Sequence, residues 1–432
     1  MKIAIVHSTF YVKGGAENVI VWLTAELLRR GHQVTIFTSE YDHQDPDIPA
    51  AVKNCMVEIP AGGDFSTWLD WRRAGRRLSK RLQTYDIVNP HNFPAQVWVY
   101  FARRGRRSFP PVIWYCQEPS RLLYRLGAKP AALPGAKRSG EQRFMAKVRR
   151  DRGKIIGKLL QKARYRVLML FFRRPLLDAH RRLDQKAGAA CDLILGNSDY
   201  MTEQIRRIYD GKGTTCRLGV PMTSLDAPGT VIYPRAAGQA KKKNYFLTVS
   251  RLESLKHVDE IIRALHVLAL QEHEADAALV IVGKGSQEPA LRELTKSLKL
   301  EARVVFAGHV PDRELERYYR EALAVVYVPE DEAFGLVPLE ALRHKTAVIV
   351  ANEGGMKETV KDGVSGIHVE PRAVAPLAAA MLSLLRDPGQ ATAMGERGHG
   401  LVMAGFTIPH FVDRFERHME QAIENNVRIP GR

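Results

Sequence analysis

Two glutamates stand eight residues apart in the segment Glu332-Ala-Phe-Gly-Leu-Val-Pro-Leu-Glu340. The apolar run Ala324–Val328 before them predicts a buried parallel strand, and Gly335–Arg343 predicts the helix that follows it. Eight residues are a little over two helical turns, so we expect Glu332 and Glu340 to lie on roughly the same face. Because open α/β sheets bind ligands at the carboxyl ends of their strands, these residues predict a ligand site.

The backbone amides between the two acids add a second kind of chemistry. Gly335, Leu336 and Val337 would open the predicted helix, and their N–H groups could bind an anion. One carboxylate for a sugar, one for a ribose diol and free amides for a phosphate together suit a sugar nucleotide. An ordinary amphipathic helix with acids on its wet face would show the same spacing. The intervening Phe-Gly-Leu-Val-Pro-Leu resembles a segment of a known enzyme family, and this resemblance favours the ligand site.

A glycine pair follows the first predicted strand. Gly14-Gly15-Ala16-Glu17 lies between the strand Lys2–Ser8 and the predicted helix Glu17–Arg30. Two glycines let the backbone approach a ligand closely, and the helix N-terminus behind them favours an anion. A plain turn would look the same. The pair is not a Gly-x-Gly-x-x-Gly fingerprint, which disfavours a dinucleotide cofactor.

Two cations follow a strand of the second half, in Ser250-Arg251-Leu-Glu-Ser-Leu-Lys256. Arg251 and Lys256 could converge on a diphosphate, whose negative charge grows as it leaves. The alternative is a pair of surface cations on a loop. Their position at the carboxyl end of the strand Tyr245–Val249 favours the diphosphate.

His91 follows the short strand at residues 86–89 and is expected to face a ligand. There it would hydrogen-bond a sugar or acceptor hydroxyl. The alternative is a structural histidine.

Asp45-Pro46-Asp47 has the spelling of a metal-binding Asp-x-Asp, but its loop is rich in Asp and Pro, so we interpret it as a turn. The four cysteines are scattered without a Cys-x-x-Cys pair, which disfavours a zinc site or a disulfide framework. We predict no metal.

Alternating strands and helices predict how these residues are positioned. Residues 1–220 and 244–408 each show the alternation of a doubly wound domain. The segment 221–243, with proline, glycine and a lysine triplet, predicts a linker, and 409–432 predicts a last helix that could pack on the first half. We therefore expect an α/β protein with two Rossmann-like domains and a cleft between them.

The net charge of +18 is concentrated in a basic insertion, residues 121–186, with 20 Lys/Arg against 4 Asp/Glu. Its part 154–174 is apolar and cationic at helical spacing, which favours a helix lying on an anionic membrane surface. A solvated basic helix is the alternative. Nucleic acid is disfavoured because few aromatic residues interleave the cations. The N-terminus predicts a strand rather than a signal peptide, and no stretch has the length of a spanning helix.

Several of these motifs occur in the order found in retaining glycosyltransferases of family 4, which have the GT-B fold, and the chain resembles that family. The matching motifs are Gly14-Gly15-Ala-Glu, Ser250-Arg-Leu-x3-Lys256, Gly283-Lys-Gly285, Glu332-x-Phe-Gly-Leu-Val-x-Leu-Glu340 and Gly354-Gly355-x-x-Glu358. The segment Tyr115–Tyr124 is similar to one in mannosyltransferase-like members that act on lipid-linked or cell-surface glycans. Two departures stand out, because Lys345 replaces a glycine and Ala347 a proline of many members.

The resemblance implies a role for each matching residue. Arg251 and Lys256 would hold the donor diphosphate, Glu332 would contact the sugar, and Glu340 the ribose hydroxyls. His91 would lie beside the reacting centre, so that the implied catalytic residues are His91, Glu332, Arg251 and Lys256. The remaining implied donor contacts are Gly14, Gly15, Gly283, Phe334, Gly335, Leu336 and Val337. Members are generally metal-independent, and the donor is a substrate, so no cofactor is expected.

The resemblance implies a retaining enzyme that transfers a hexose, with mannose as a candidate, from a nucleotide-diphosphate sugar to a lipid-linked or cell-surface polysaccharide. With the basic insertion, it favours a cytoplasmic protein that is peripheral on the inner face of the cell membrane. Two alternatives stay open. One is a GT-B epimerase or phosphorylase-like enzyme, and the other is a non-catalytic scaffold that binds a sugar nucleotide or a membrane.

Overall fold

The structure is a computed structural model that describes residues 1–10, 14–45, 48–59, 68–106, 108–124, 175–222, 243–271 and 277–427. Its residues form two compact units. The first unit contains described residues 1–124, 175–221 and 408–427, and the second contains 222 and 243–407. Most of the basic insertion (125–174) and of the predicted linker (223–242) lies outside the described residues.

The sheet of the first unit is parallel throughout. Four strands run in the order β3-β2-β1-β4 and three in the order β5-β6-β7. Single parallel bridges, Val88 with Val112 and His91 with Tyr115, join β4 to β5. The strands are β1 (Lys2–Val6), β2 (Gln33–Thr38), β3 (Met56–Glu58), β4 (Ile87–Pro90), β5 (Ile113–Cys116), β6 (Leu193–Gly196) and β7 (Thr214–Thr215).

Helices alternate with these strands, as the periodicity predicts. They are α1 (Gly15–Arg29), α2 (Ala50–Lys53), α3 (Trp68–Leu82), α4 (Ala95–Arg103), α5 (Arg121–Tyr124), α6 (175–189) and α7 (Asp199–Ile208). Helices α3 and α4 pack closely because α3 has a glycine at the crossing. A Cβ atom on Gly75 would lie 2.5 Å from the Cβ atom of Phe101.

The second unit has one six-stranded parallel sheet, in the order β10-β9-β8-β11-β12-β13. Its strands are β8 (Lys243–Val249), β9 (Ala278–Val282), β10 (Val304–Gly308), β11 (Ala322–Tyr327), β12 (Ala347–Ala351) and β13 (Gly366–Val369). Every residue of β11 and β12 is buried, as expected for strands covered on both faces.

A 3-10 turn, Ser254–Lys256, follows β8. The helices of this unit are α8 (Val258–Gln271), α9 (Glu288–Ser297), α10 (Asp312–Glu321), α11 (Leu336–Arg343), α12 (Met356–Thr359), α13 (Val374–Arg386) and α14 (Pro388–Gly405). Two Rossmann-like units with parallel sheets confirm the predicted α/β class.

The last helix, α15 (Ile408–Val427), belongs to the first unit. The guanidinium of Arg30, at the end of α1, donates to Asp413 at 2.7 Å and to Glu416 at 2.6 Å. The apolar face of α15 buries Phe411 and Phe415 beside Tyr115 of β5. No described helix is long and apolar enough to cross a bilayer.

A buried carboxyl group links four elements of the first unit. Asp184 of α6 is 1% exposed, and it accepts hydrogen bonds from Gln96 at 2.5 Å, from Tyr209 at 2.7 Å and from Tyr124. Burial raises its pKa to about 6 from an ordinary 3.8, although these hydrogen bonds act in the opposite direction. No periodicity in the sequence indicates this cluster.

Asp184 should make the first unit less stable as the pH rises from about 4 to about 6. The folded state holds the proton more tightly than the unfolded state, so the stabilisation present below pH 4 is lost through the folded pKa. At 1.36 kcal/mol per pKa unit, the effect is about 3 kcal/mol. Urea unfolding of wild type and Asp184→Asn across this pH range measures it. As the pH rises, the free energy of unfolding of wild type should fall relative to that of Asp184→Asn. A constant difference between the two proteins would contradict the prediction.

Candidate active site

The predicted ligand residues of the second unit meet at one place in its sheet. Strand β8 lies between β9 and β11, so the chain order reverses at β8 and β11. Such a reversal creates a ligand-binding crevice at the carboxyl ends of the two strands. Lys256 follows β8 and Glu332 follows β11, which places both at the reversal.

Lys256 and Glu332 form an ion pair although they are 76 residues apart. The Nζ atom of Lys256 lies 2.8 Å from Oε2 of Glu332. Tyr327, the last residue of β11, donates its hydroxyl to the same carboxylate oxygen at 2.9 Å and accepts from Lys256 at 3.2 Å. Sequence reasoning missed Tyr327, although its place at the end of the strand was the available signal.

The electrostatics keep this cluster charged. Burial alone would lower the pKa of Lys256, but Tyr327 and the Glu332 carboxylate outweigh it and raise that pKa. Burial also raises the pKa of the Tyr327 phenol, so its hydroxyl stays protonated and can donate. The ammonium is thus held at a fixed point, where it can bind a phosphate oxygen.

The helix after Glu332 begins later than predicted. Helix α11 starts at Leu336, and Gly335 is its N-cap residue, with a φ of +93° that favours glycine. Residues 332–334 are not helical, so helical periodicity does not apply between Glu332 and Glu340, and their placement on roughly the same face stays a prediction. The amide groups that open α11, at Leu336 and Val337, lack helical acceptors and remain suited to an anion.

The side chain of Phe334 lies in the core, while the predicted donor contact of this residue stays a prediction. Its side chain is 2% exposed and packs against Phe406, with ring centroids 6.2 Å apart. The burial of an aromatic ring outweighs any tendency to face a polar ligand. Phe334 instead anchors the loop that carries Glu332.

A glycine pair fixes the position of that loop from behind. A Cβ atom on Gly354 would lie 2.4 Å from the carbonyl oxygen of Glu332, and one on Gly355 would lie 2.3 Å from that of Ala333. The amide of Gly355 donates to the carbonyl of Glu332 at 2.9 Å. The motif Gly354-Gly355 therefore lets two backbones pack directly against each other.

Glu340 lies on α11 and is held by a tyrosine of α10. Its Oε2 atom accepts a hydrogen bond from the hydroxyl of Tyr319 at 2.8 Å. Burial raises the pKa of Glu340, although Arg343 and Tyr319 act in the opposite direction. The hydrogen bond from Tyr319 fixes the carboxyl group of Glu340, which can make a second hydrogen bond. The predicted contact with a ribose diol requires such a bond.

Gly283 and Arg251 occupy neighbouring loops at the carboxyl ends of β9 and β8. Gly283 has a φ of +126°, and a Cβ atom there would lie 1.8 Å from the carbonyl oxygen of Ser250. Only glycine allows this approach, which sets the path of the backbone at Arg251. The Arg251 side chain is exposed, as binding a ligand from solvent requires.

The glycine pair of the first unit begins α1 with a capping arrangement. Glu17 accepts from the amide of Gly14 at 2.8 Å and contacts Nε2 of His7 at 3.2 Å. Burial would raise the pKa of Glu17, but His7 and the Gly14 amide outweigh it and lower that pKa. The acid thus occupies the amide of Gly14, while the predicted phosphate contacts of Gly14 and Gly15 stay predictions.

His91 directly follows β4, and its predicted role beside a ligand stays a prediction. Its side chain is fully buried, and its Nε2 atom lies 2.7 Å from Oδ1 of Asn89. Burial lowers its pKa well below the ordinary value, so the ring is neutral. Its ring lies beside that of Tyr115 in β5, with the ring centroids 5.3 Å apart.

Two side chains that sequence reasoning passed over contact the residues next to the glycine pair. His7 directly follows β1 and contacts Glu17 of α1. Gln117 directly follows β5, and its Nε2 atom donates to the carbonyl of Ala16 at 3.3 Å. Their positions after parallel strands were the signal that could have identified them.

No group of three or more His, Cys, Asp or Glu residues suited to a metal occurs in the described part of the chain. Pro46 and Asp47 of the Asp-x-Asp spelling lie outside it.

Solved structures align with this chain over nearly its whole length. The sucrose-phosphate synthase from Thermosynechococcus elongatus aligns over 98% of this chain and 99% of its own, with a TM-score of 0.72 at 17% identity. Anabaena HepE, solved in complex with UDP-glucose, aligns over 98% of this chain and 100% of its own, with a TM-score of 0.67 at 16% identity. The chain has the GT-B glycosyltransferase fold.

Two family descriptions match separate parts of this GT-B chain. Residues 13–150 match "Glycosyltransferase Family 4", and residues 232–400 match "Glycosyl transferases group 1". The D-inositol 3-phosphate glycosyltransferase of Rhodococcus jostii is 32% identical over 225 residues, which are 49% of this chain and 48% of that protein. The chain thus spans about half the length of the relatives it matches. These matches support the predicted resemblance to family 4, whereas the mannosyltransferase-like segment stays a prediction.

The structure shows how the GT-B chain accommodates one departure from the family pattern. Lys345, which replaces a glycine, has a φ of +59°, a conformation that favours glycine. Its Nζ atom pairs with Glu396 at 2.9 Å. The lysine therefore retains the backbone turn between α11 and β12.

Proposed function

We propose that the protein is a retaining glycosyltransferase that transfers a hexose from a nucleotide-diphosphate sugar. The observation that supports this best is the cluster of Lys256, Glu332 and Tyr327 at the chain reversal of the second sheet. It presents a fixed ammonium beside a carboxylate, next to a helix N-terminus. A sugar diphosphate needs both kinds of group, since its phosphates bind cations and its hydroxyls bind carboxylates.

Lys256 and Arg251 would stabilise the diphosphate as the bond to the sugar breaks. The negative charge on the leaving oxygen is larger in the transition state than in the bound donor, so fixed cations lower the barrier. Lys256 meets this need because its position is set before the donor binds. The opening amides of α11 would bind a second phosphate oxygen.

Glu332 would accept hydrogen bonds from hydroxyl groups of the transferred sugar, and Glu340 from those of the ribose. HepE has been solved with UDP-glucose, which supports a hexose donor. Mannose is the candidate from the segment Tyr115–Tyr124. The departing phosphate would help to deprotonate the acceptor hydroxyl, so the proposal requires no protein base and no metal.

The proposed acceptor is a lipid-linked or cell-surface polysaccharide. The lipopolysaccharide outer core galactosyltransferase WaaB, which aligns with a TM-score of 0.65, is named for such an acceptor. The basic insertion 121–186 supports an acceptor at an anionic membrane, with the protein peripheral on its cytoplasmic face.

A thermal-shift screen against GDP-, UDP-, ADP- and dTDP-sugars tests donor binding. A ligand that binds only the folded state raises the melting temperature, by an amount that depends on its concentration relative to Kd. We expect one nucleotide class to raise Tm in wild type but not in Arg251→Ala. Arg313→Ala, a change of an exposed arginine on α10, is the control and should retain the shift. No shift with any donor would favour a scaffold.

Product analysis separates transfer from the alternative enzymes. A glycosyltransferase needs an acceptor and releases a nucleoside diphosphate, while an epimerase returns a sugar nucleotide without one. A phosphorylase would instead release a sugar phosphate when supplied with inorganic phosphate. Retention of the anomeric configuration, read by NMR of the product, tests the stereochemistry.

A further inference from the structure

A second concentration of cations lies in the first unit, away from the strand ends. Helix α3 contains six Lys/Arg residues and one acid. Four arginines line a cavity of about 250 Å³ together with Ser79 and Phe101. Two of the arginines, Arg72 and Arg76, are one turn apart on α3. The others, Arg104 and Arg106, directly follow α4.

The walls of this cavity are closely packed. Helices α3 and α4 are in direct contact at Gly75, where a Cβ atom would also lie 2.6 Å from the carbonyl oxygen of Trp98. The buried Ser79 donates to the carbonyl of Ala102 at 2.7 Å and accepts from Nε of Arg106 at 2.8 Å. Its hydroxyl therefore fixes Arg106 against both helices.

The arginines of this cavity differ from their neighbours, which are paired with acids. Arg73 on α3 pairs with Asp70 at 3.2 Å, and Arg103 on α4 pairs with Asp192 at 2.9 Å. No acid lines the cavity itself. Within the described residues, none of its four arginines forms a salt bridge. Like charges held close together repel, so an anion that binds between them relieves this cost.

The chemistry of guanidinium selects the kind of anion. Its planar fork binds two oxygens of a phosphate at once, and several forks around one concavity favour a group with several oxygens. We propose that this cavity, the α3–α4 arginine pocket, is a binding site for a phosphate group. It shares no residue with the proposed donor site, whose cluster belongs to the second unit. Within the first unit, α4 returns from the carboxyl ends of the strands, so its own end lies at the opposite edge of that unit's sheet.

Two exposed apolar residues favour a lipid as the source of that phosphate. Trp68 is 46% exposed and Leu69 is 45% exposed at the start of α3. Trp68, Arg72 and Arg76 follow one another at intervals of four residues, so they form one stripe along the helix. Tryptophan beside arginine suits the boundary between headgroups and acyl chains. A soluble phosphate would use the same arginines without Trp68.

Vesicle sedimentation and thermal shift with the full chain test the site. The probes are phosphatidylcholine vesicles with and without phosphatidic acid, and inorganic phosphate in solution. Arg76→Gln/Arg104→Gln removes two charges from the pocket. The control Arg73→Gln/Arg81→Gln removes two charges from the adjacent stripe of α3, which does not line the cavity. We expect the pocket variant to lose about tenfold or more in affinity for the phosphate probe that binds, and the control to lose less than about threefold.

The two probes also distinguish a lipid phosphate from a soluble phosphate. A lipid phosphate is indicated if Trp68→Ala binds phosphatidic acid vesicles more weakly than wild type does and the pocket variant also loses affinity for them. A thermal shift with inorganic phosphate alone, lost in the pocket variant, indicates a soluble phosphate, and the site stands. Equal losses in the pocket variant and the control would overturn it in favour of a generic basic face. Absence of binding to both probes by folded wild type would also overturn it. Neither outcome depends on glycosyl transfer.

Discussion

Glu332→Gln is expected to lower turnover by about 100-fold or more, as is Lys256→Ala, while both proteins remain folded. The glutamine loses the charge that pairs with Lys256 at 2.8 Å and weakens the proposed contact with the sugar. The alanine removes the cation that would stabilise the departing diphosphate. Steady-state kinetics with the donor from the thermal-shift screen measure both losses, and circular dichroism checks the fold.

Two further variants show whether the losses arise at this cluster. Tyr327→Phe removes one hydroxyl but leaves the ion pair, so its loss should be smaller, about tenfold. Glu396→Gln breaks the exposed pair between Lys345 and Glu396 in the same unit and should leave turnover unchanged. Because Lys256 and Glu332 act together, the losses in the double variant should not add. Wild-type turnover in either single variant would rule out the assigned roles.

Gly283→Ala should destabilise the second unit by about 2–4 kcal/mol and abolish donor binding. Its Cβ atom would lie 1.8 Å from the carbonyl oxygen of Ser250, and its φ of +126° is unfavourable for alanine. Relief of the clash must move the backbone next to Arg251. Urea unfolding and the donor thermal shift measure the two effects.

Gly363→Ala is the matched control for backbone strain. Gly363 lies in the same unit with a φ of +70°, but a Cβ atom there has nothing within 4 Å. Its substitution should therefore cost only the conformational term, about 1–2 kcal/mol, and leave donor binding intact. Equal effects of the two substitutions would mean that the close approach at Ser250 is unimportant.

Local patterns predicted most of the secondary structure, because buried parallel strands leave continuous apolar runs. The run Ala278–Val282 matches β9 at both ends. The prediction failed where local geometry depends on distant packing. Helix α11 was expected to begin at Gly335, yet Phe334 and Gly335 form the turn before it, since Phe334 is drawn into the core beside Phe406.

The site shows the same division between local and distant information. Motif spacing identified Lys256 and Glu332 separately as candidates, since each follows a strand. It could not show that they contact each other, because that depends on β8 and β11 being neighbours in the sheet. It also could not show that His91 is buried with its ring beside that of Tyr115.

The sequence by itself determined the alternation of strands and helices, the glycine positions and the resemblance to family 4, because each depends on residues close together in the chain. Only the tertiary structure decided the contact of Tyr327 with Glu332, the burial of Asp184 and the grouping of arginines between α3 and α4. These depend on strand order and helix packing, which bring together side chains that are far apart in sequence. Charge and burial at such contacts come from neighbours in space, which no local pattern contains.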